Sequence, residues 1–287
     1  MDNAPVRIDL HMHSTASDGT NTPSELLCRV KEAGLTVFSL TDHDAISGCE
    51  AIRAILSPND PRFLFGVEFS CKDPLGKYHI LGYGYDPDSP SIRAVVDLGH
   101  RYRMEKLDER LVFLDRKFGF VFSEEEQAML HALPNPGKPH LANLMVRHGY
   151  APDVKTAFTN WLNQCVSEDL YPRPEEAIEG VLGAGGIPVL AHPCYGDGDQ
   201  LILGDALDAR VRRLMDFGLK GLECYYSGFT EKLRAQVLSL ADRYDLYSTA
   251  GSDYHGANKL IRLADTGLSA NAPLPPRLSR FLEALNA

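Results

Sequence analysis

An α/β fold, a parallel barrel or sheet bearing a helical cap, is what this 287-residue sequence predicts. Three observations carry it. Strand-like and helix-like segments alternate up to about residue 90 and again from about residue 173, the pattern of repeated βα units. Between about 91 and 172, several helical segments follow one another with no strand between them. Histidines and acids recur at the ends of the strand-like segments, where α/β barrels and open sheets build their sites. The organisation expected is a first barrel part at 1–97, a helical cap insertion at 98–172, and a second barrel part at 173–287.

The elements follow in order. "VRIDLHMH" reads as a strand ending in two histidines. "TPSELLCRVKEAG" reads as a helix, with Thr22 as N-cap, Pro23 at the first position, Glu25 completing a capping box and Gly34 beyond the end. "TVFSLTDHD" is a second strand, and "AISGCEAIRAIL" holds the next helix. "RFLFGVEFSC" and "KYHILGYGY" are rich in β-branched and aromatic residues and read as further strands. In the insertion, Met104, Leu107, Leu111, Leu114 and Phe118 recur at spacings of three and four, a helical core stripe. "PNPGKP" at 134–139 is a turn between helices. "PEEAIEGVLGAGG" then resumes the alternation as a helix, followed by the strand "IPVLAHP" and a helix around 200–217. "GLECYY" is a strand, "TEKLRAQVLSLADRY" a helix, and "LYSTAGSDYH" the last strand.

Composition bounds the function. With 44% hydrophobic residues the chain can build a full core. No apolar run approaches the roughly 20 residues of a membrane span, so no membrane partner is expected. "MDNAPVRIDL" lacks the basic and apolar regions of a signal peptide, which makes the cytoplasm the expected location. The six cysteines form no CxxC pair and read as reduced thiols rather than a zinc–thiolate site. A net charge of −10 argues against a long track for duplex nucleic acid. Small anionic substrates remain compatible, because bound cations reverse the field locally.

The strand ends carry the chemistry. His11 and His13 close the first strand, and with period two both project to one face. Asp18 follows in the loop. His43 ends the second strand, Glu68 the third, and His79 lies in the next. His192 closes "VLAHP", while Asp253 and His255 close the last strand. A single histidine at a strand end is usually an ordinary polar residue. Here six of the ten histidines fall at strand ends or just after, which chance explains poorly.

The stretches "HMHS", "SDGT" with Asp18, "TDHD", "GVEFS", His79, "AHP" and "GSDYH" resemble the motifs of the PHP (polymerase and histidinol phosphatase) family. The likeness spans nearly the whole chain outside the middle insertion. It implies a metal-dependent phosphoesterase on a distorted (β/α)7 barrel, here with an inserted helical cap. "DGTNTPSELLCRVKEAGLTVFSLTDHDAISG" and "TAGSDYHG" are most similar to a stand-alone, TrpH-like branch. Members of that branch act on nucleotide 3′,5′-bisphosphates or on short oligonucleotides from the 5′ end.

The resemblance implies a site for two or three divalent ions. His11, His13, Glu68 and Asp253 would hold the first. Glu68 would bridge to a second, held by His79 and His192, and Asp18, His43 and His255 would hold a third. Imidazole and carboxylate without thiolate suit Mn²⁺, Zn²⁺ or Fe²⁺, and ligand type does not select among them; Mn²⁺ is the expected ion. The leaving alkoxide needs a proton or a metal, and His192, Asp253 and His255 stand as alternatives for that role. Asp42 and Asp44 flank His43 and are candidates to orient ligand imidazoles.

The substrate side rests on the insertion. Arg103, Lys106, Arg110 and Lys117 share a helical face opposite the core stripe, which in the plainest reading is a solvated face. In the other reading "HRYRMEK", Arg101 and Arg103 above all, reaches over the barrel mouth to hold a second phosphate. Lys138 and His140 in "GKPH" open another helix, where they would meet the 5′-phosphate. Tyr102 or Tyr226 would stack on a base. The expected reaction removes the 3′-phosphate from a nucleoside 3′,5′-bisphosphate such as pAp. The alternatives are 5′-to-3′ exonuclease action on short oligonucleotides, histidinol phosphate hydrolysis, and a metal-free scaffold module.

Overall fold

A computed structural model of the chain describes residues 6–166, 170–197, 200–269 and 272–286. Seven strands form one sheet in sequence order: β1 (Ile8–Asp9), β2 (Val37–Leu40), β3 (Arg62–Asp73), β4 (Gly76–Tyr83), β5 (Ile187–Leu190), β6 (Gly221–Tyr226) and β7 (Tyr247–Gly251). The ends meet: Leu10 N–H donates to Ala250 O at 2.9 Å, and Met12 bridges Tyr254. The result is a nearly closed barrel.

Two details depart from the expected pattern. The sheet is not parallel throughout, because β4 runs antiparallel to both β3 and β5. Only Pro74 and Leu75 join β3 to β4, with Gly76 at φ 142°, and so short a link makes a hairpin rather than a crossover. The first strand is regular only at Ile8–Asp9. Beyond it the backbone turns to other partners: His11 N–H donates to Asp9, His13 N–H to Tyr254 O and Ser14 N–H to Asp42.

The barrel helices are α1 (Pro23–Glu32), α2 (Ser47–Ile55), α7 (Pro174–Gly183), α8 (Gly204–Asp216) and α9 (Glu231–Arg243). The capping box at Thr22 and Glu25 forms as expected. A terminal helix absent from the sequence reading, α10 (Pro276–Ala284), places Leu278, Phe281 and Leu282 against Leu10, Leu64, Leu81, Tyr83 and Val189. Those residues come from β3, β4 and β5 and from the segment running on from β1, so α10 closes the cluster that fills the barrel.

The cap comprises α3 (Pro90–Phe118), α4 (Glu124–His131), α5 (Lys138–Arg147) and α6 (Val154–Asn160). It has its own core, in which Leu107, Leu111 and Leu114 meet Leu130, Leu141 and Met145. An expected boundary at 97/98 falls inside α3. Ile92 and Val95 of that helix belong to the barrel core, and Leu107 onward to the cap core. One continuous helix therefore serves both units. No helix among the described residues is long and apolar enough to cross a membrane.

Candidate metal centre

All nine expected metal ligands converge at one end of the barrel. His11, His13 and Asp18 come from the segment after β1, His43 from that after β2, and Glu68 from β3. His79 comes from β4, across the ladder from Ser70, which shares its face with Glu68. The reversal of β4 is what brings His79 to this end near the start of its strand. His192 follows β5, and Asp253 and His255 follow β7. His192 and Asp253 adopt φ values of 29° and 60°, a left-handed backbone uncommon outside glycine and a frequent mark of functional sites.

Glu68 lies at the centre, 1% exposed. Its Oε2 is 3.2 Å from His11 Nε2, 3.1 Å from His13 Nε2 and 3.1 Å from His43 Nδ1. Its Oε1 is 2.8 Å from His79 Nδ1 and 3.4 Å from His192 Nε2. Asp253 Oδ1 approaches His11, His13 and His255 at 3.3–3.5 Å. Asp18 Oδ1 is 3.3 Å from His255 Nε2, and its Oδ2 is 3.9 Å from His43 Nε2. Three groups of donor atoms result: His11, His13, Glu68 and Asp253; His13, Asp18, His43 and His255; and Glu68 with His43 and His79. His192 joins the last, its Nε2 being 3.2 Å from His79 Nδ1.

The electrostatics suit divalent cations. Burial alone would raise the carboxyls of Glu68, Asp18 and Asp253, yet facing imidazoles hold all three well below the usual carboxylate range. At Asp253 the Lys259 ammonium is the largest of these lowering influences, ahead of His11 and His255. Burial pushes His43, His192 and His255 down, toward the neutral form that ligates metals. For His11 the carboxylates Glu68, Glu223 and Asp253 overcome burial and raise it. His11 Nε2, His13 Nε2 and both oxygens of Glu68 are buried, and none forms a hydrogen bond among the described residues. Orphaned donors and ionised acids pointed at one another are what a bound cation would satisfy. The cysteines take no part, and Cys49 instead donates to Leu40 O and Gly66 O.

The surrounding partners are not those expected. Asp42 touches no imidazole; it accepts from Ser14 N–H, Ser14 Oγ and Ser17 Oγ and so fixes the loop that carries Asp18. Asp44 accepts from Arg103 Nε at 2.6 Å and from Ser70 N–H at 3.0 Å. Asp253 Oδ2 accepts from Lys259 Nζ at 2.6 Å and from Tyr226 Oη at 3.1 Å, so Tyr226 braces a ligand instead of offering a face to a base. Glu223, fully buried, accepts from His11 Nδ1 and His192 N–H, each at 2.8 Å. The sequence reading missed Glu223 and Lys259. A lone acid inside the apolar run "GLECYY" was the available signal for the first.

A cavity of about 410 Å³ opens over the centre. Asp18, His43, His79, His192 and His255 line its barrel side, and Lys77, Arg103, Lys106, Arg110 and Lys138 the other. Arg103 is committed to Asp44 and Ser70, and Lys77 pairs with Asp197 at 2.7 Å. Among the described residues, Lys106, Arg110 and Lys138 have no carboxylate partner. The Lys106 ammonium lies 3.6 Å over the Tyr171 ring. Burial, then Arg103, pushes Lys106 well below its ordinary value, and burial with Arg110 and Lys77 brings Lys138 down to about 8.

Three expected substrate contacts fall elsewhere. Arg101 is exposed and Tyr102 half-buried, and neither lines the cavity. The face that does carries 103, 106 and 110, and at 100° per residue Arg101 lies on the opposite side of the helix and Tyr102 at the edge of that face. His140 accepts from Gly137 N–H through Nδ1 at 3.0 Å and borders a separate groove on the cap. Lys117 is exposed and donates to Gln164.

Comparison with known proteins agrees with this geometry. A family model described as the PHP domain matches residues 9–182. A 3′,5′-nucleoside bisphosphate phosphatase from Chromobacterium violaceum is 30% identical over 278 residues, 93% of each chain. A phosphoribosyl 1,2-cyclic phosphate 1,2-diphosphodiesterase from Eggerthella lenta is 29% identical, covering 86% of this chain and 94% of its own. A 5′-3′ exoribonuclease from Haemophilus influenzae is 29% identical, covering 87% and 90%. Among solved structures, an amidohydrolase from C. violaceum with bound sulfate and no metal superposes with a TM-score of 0.82 at 28% identity, covering 98% and 97%. A protein from Bifidobacterium adolescentis described as a metal-dependent phosphoesterase gives 0.81 at 26%, covering 96% of each.

Proposed function

The chain belongs to the PHP domain family of phosphoesterases, and from that premise we propose that it removes the 3′-phosphate from nucleoside 3′,5′-bisphosphates such as pAp. One observation carries the choice. The cavity has metal-ligand donors on one side and, on the other, Lys106, Arg110 and Lys138, three basic side chains with no ion-pair partner among the described residues. That arrangement favours a compact substrate with a phosphate at each end.

Two or three divalent ions, Mn²⁺ foremost, would sit among the nine ligands; when bound they acidify water and neutralise phosphoryl oxygens. The chain's own residues do the rest. Lys106, Arg110 and Lys138 hold the 5′-phosphate and set the distance to the scissile ester. Lys259 and Tyr226 hold the outer oxygen of Asp253, so that only Oδ1 faces the centre. Of the three alternatives for protonating the leaving alkoxide, His192 and His255 line the cavity and Asp253 does not. Tyr195 and Phe158 also line it and offer aromatic faces to the base.

The same cations would seat the terminal 5′-phosphate of an oligonucleotide, which keeps exonuclease action as the second reading. Phosphate or mononucleotide release should be measured with Mn²⁺ over pAp, AMP, 3′-AMP, histidinol phosphate and a 5′-phosphorylated trinucleotide. We expect pAp to be turned over fastest and a chelator to abolish the activity. Faster release from AMP or histidinol phosphate would overturn the substrate assignment, and preferred cleavage of the trinucleotide would favour the exonuclease. Activity that survives complete metal removal would refute the metal reading.

A further inference from the structure

Glu223 sits in β6, fully buried, with both carboxylate oxygens engaged. Oε1 accepts from His11 Nδ1, and Oε2 accepts from the backbone N–H of His192. His11 belongs to the first ligand group and His192 to the second. The residue separations are 212 and 31, so β6 joins two parts of the chain that are otherwise remote.

The surroundings are shaped for this carboxylate. The pairing of β6 with β7 shifts register between Glu223 and Tyr225. At the end of β7, Gly251 leaves the necessary room: a Cβ there would lie 2.2 Å from His11 Cβ and 2.5 Å from Glu223 Oε1. His192, at φ 29°, holds a backbone conformation that needs outside support, and its N–H finds that support in Oε2.

We infer that Glu223 is a positioning residue serving two metal positions at once. An ionised glutamate only accepts hydrogen bonds, so the proton of His11 must lie on Nδ1, leaving Nε2 free to ligate. The same group fixes the strained turn that aims His192 Nε2 at Glu68 and His79. Glutamine has the same shape but cannot do both, since its amide nitrogen is a donor facing a donor at one end or the other. If the amide turns its nitrogen to His11, the imidazole must move its proton to Nε2, which then cannot ligate.

The inference rests on reading the centre as a metal site, and the test separates the two. Glu223→Gln is titrated with Mn²⁺, and its Mn²⁺-soaked crystals are examined by anomalous diffraction. We expect affinity to fall by ~10–100-fold at the first or the second position, whichever the amide nitrogen faces, the range for losing such an outer partner. The position formed by Asp18, His43 and His255 should keep its ion, and the KM for the bisphosphate should stay near wild type while kcat falls. Wild-type occupancy at both of the first two positions, or loss at all three, would each overturn the inference. A readout free of any variant is the tautomer in the diamagnetic Zn²⁺-loaded wild type, by long-range ¹H–¹⁵N correlation of His11. A proton on Nδ1 supports the assignment and a proton on Nε2 refutes it. Wild-type protein that takes up no divalent ion would sink the metal reading itself, and this inference with it.

Discussion

Lys138 ties one side chain to a pH profile. Burial and the neighbouring cations Arg110 and Lys77 bring its ammonium down to about 8, so the free protein loses that charge as pH rises through this value. In the proposed reaction the substrate phosphate is already dianionic there and would bind the protonated lysine. The KM for a bisphosphate should therefore rise above about pH 8, toward tenfold per pH unit for one lost proton. Lys138→Arg keeps its charge and should abolish this limb, and persistence of the limb in that variant would refute the assignment. The metal ligands were the most legible part of the sequence, because period-two spacing and strand ends fix where such side chains point. Glu223 was not legible. Its role depends on the segments after β1 and β5 meeting β6 at one end of the barrel, which no local pattern encodes. The cap cations were half legible: helical periodicity united Arg103, Lys106 and Arg110, while the choice of Arg101 ignored that it lies on the opposite side of the helix.

At the scale of elements, α3 clamps the cap to the β2–α2 segment. Gly99 of this helix lies so close to Asp44 that a Cβ would come within 2.7 Å of the aspartate's own Cβ. One turn on, the Arg103 guanidinium closes a buried pair with Asp44 and donates to Ser70 Oγ. Ser70 Oγ in turn lies 3.4 Å from His43 Nδ1, and Asn135 of the cap donates to His43 O. Arg103 thus acts mainly as structure beneath the proposed substrate seat. Arg103→Met should destabilise the fold by about 3–5 kcal/mol, the cost of leaving one member of a buried pair uncompensated. Denaturant unfolding measures this, and a loss below about 1 kcal/mol would show the pair to be dispensable. The β3–β4 hairpin was legible in principle, since "DPLG" is a turn signal, but the expectation of parallel units overrode it.

At the scale of the whole molecule, the alternation of strands and helices sufficed for a barrel with an insertion, because each barrel helix must cover an apolar strand face. It could not place the seam between the units, because α3 contributes Ile92 and Val95 to one core and Leu107 to the other without interruption. Nor did it anticipate α10, whose apolar residues find their partners only once the strands have gathered above them. That last helix has a kinetic consequence. With Phe281 and its neighbours stoppering the far end of the barrel, whatever enters beneath the cap must leave by the same doorway. In the proposed reaction the cleaved phosphate lies among the ions while the nucleoside 5′-monophosphate lies toward the cap, so the nucleotide must depart first. Steady-state inhibition should then be competitive for inorganic phosphate and mixed for the nucleotide product; the reverse pattern would mean a second way out.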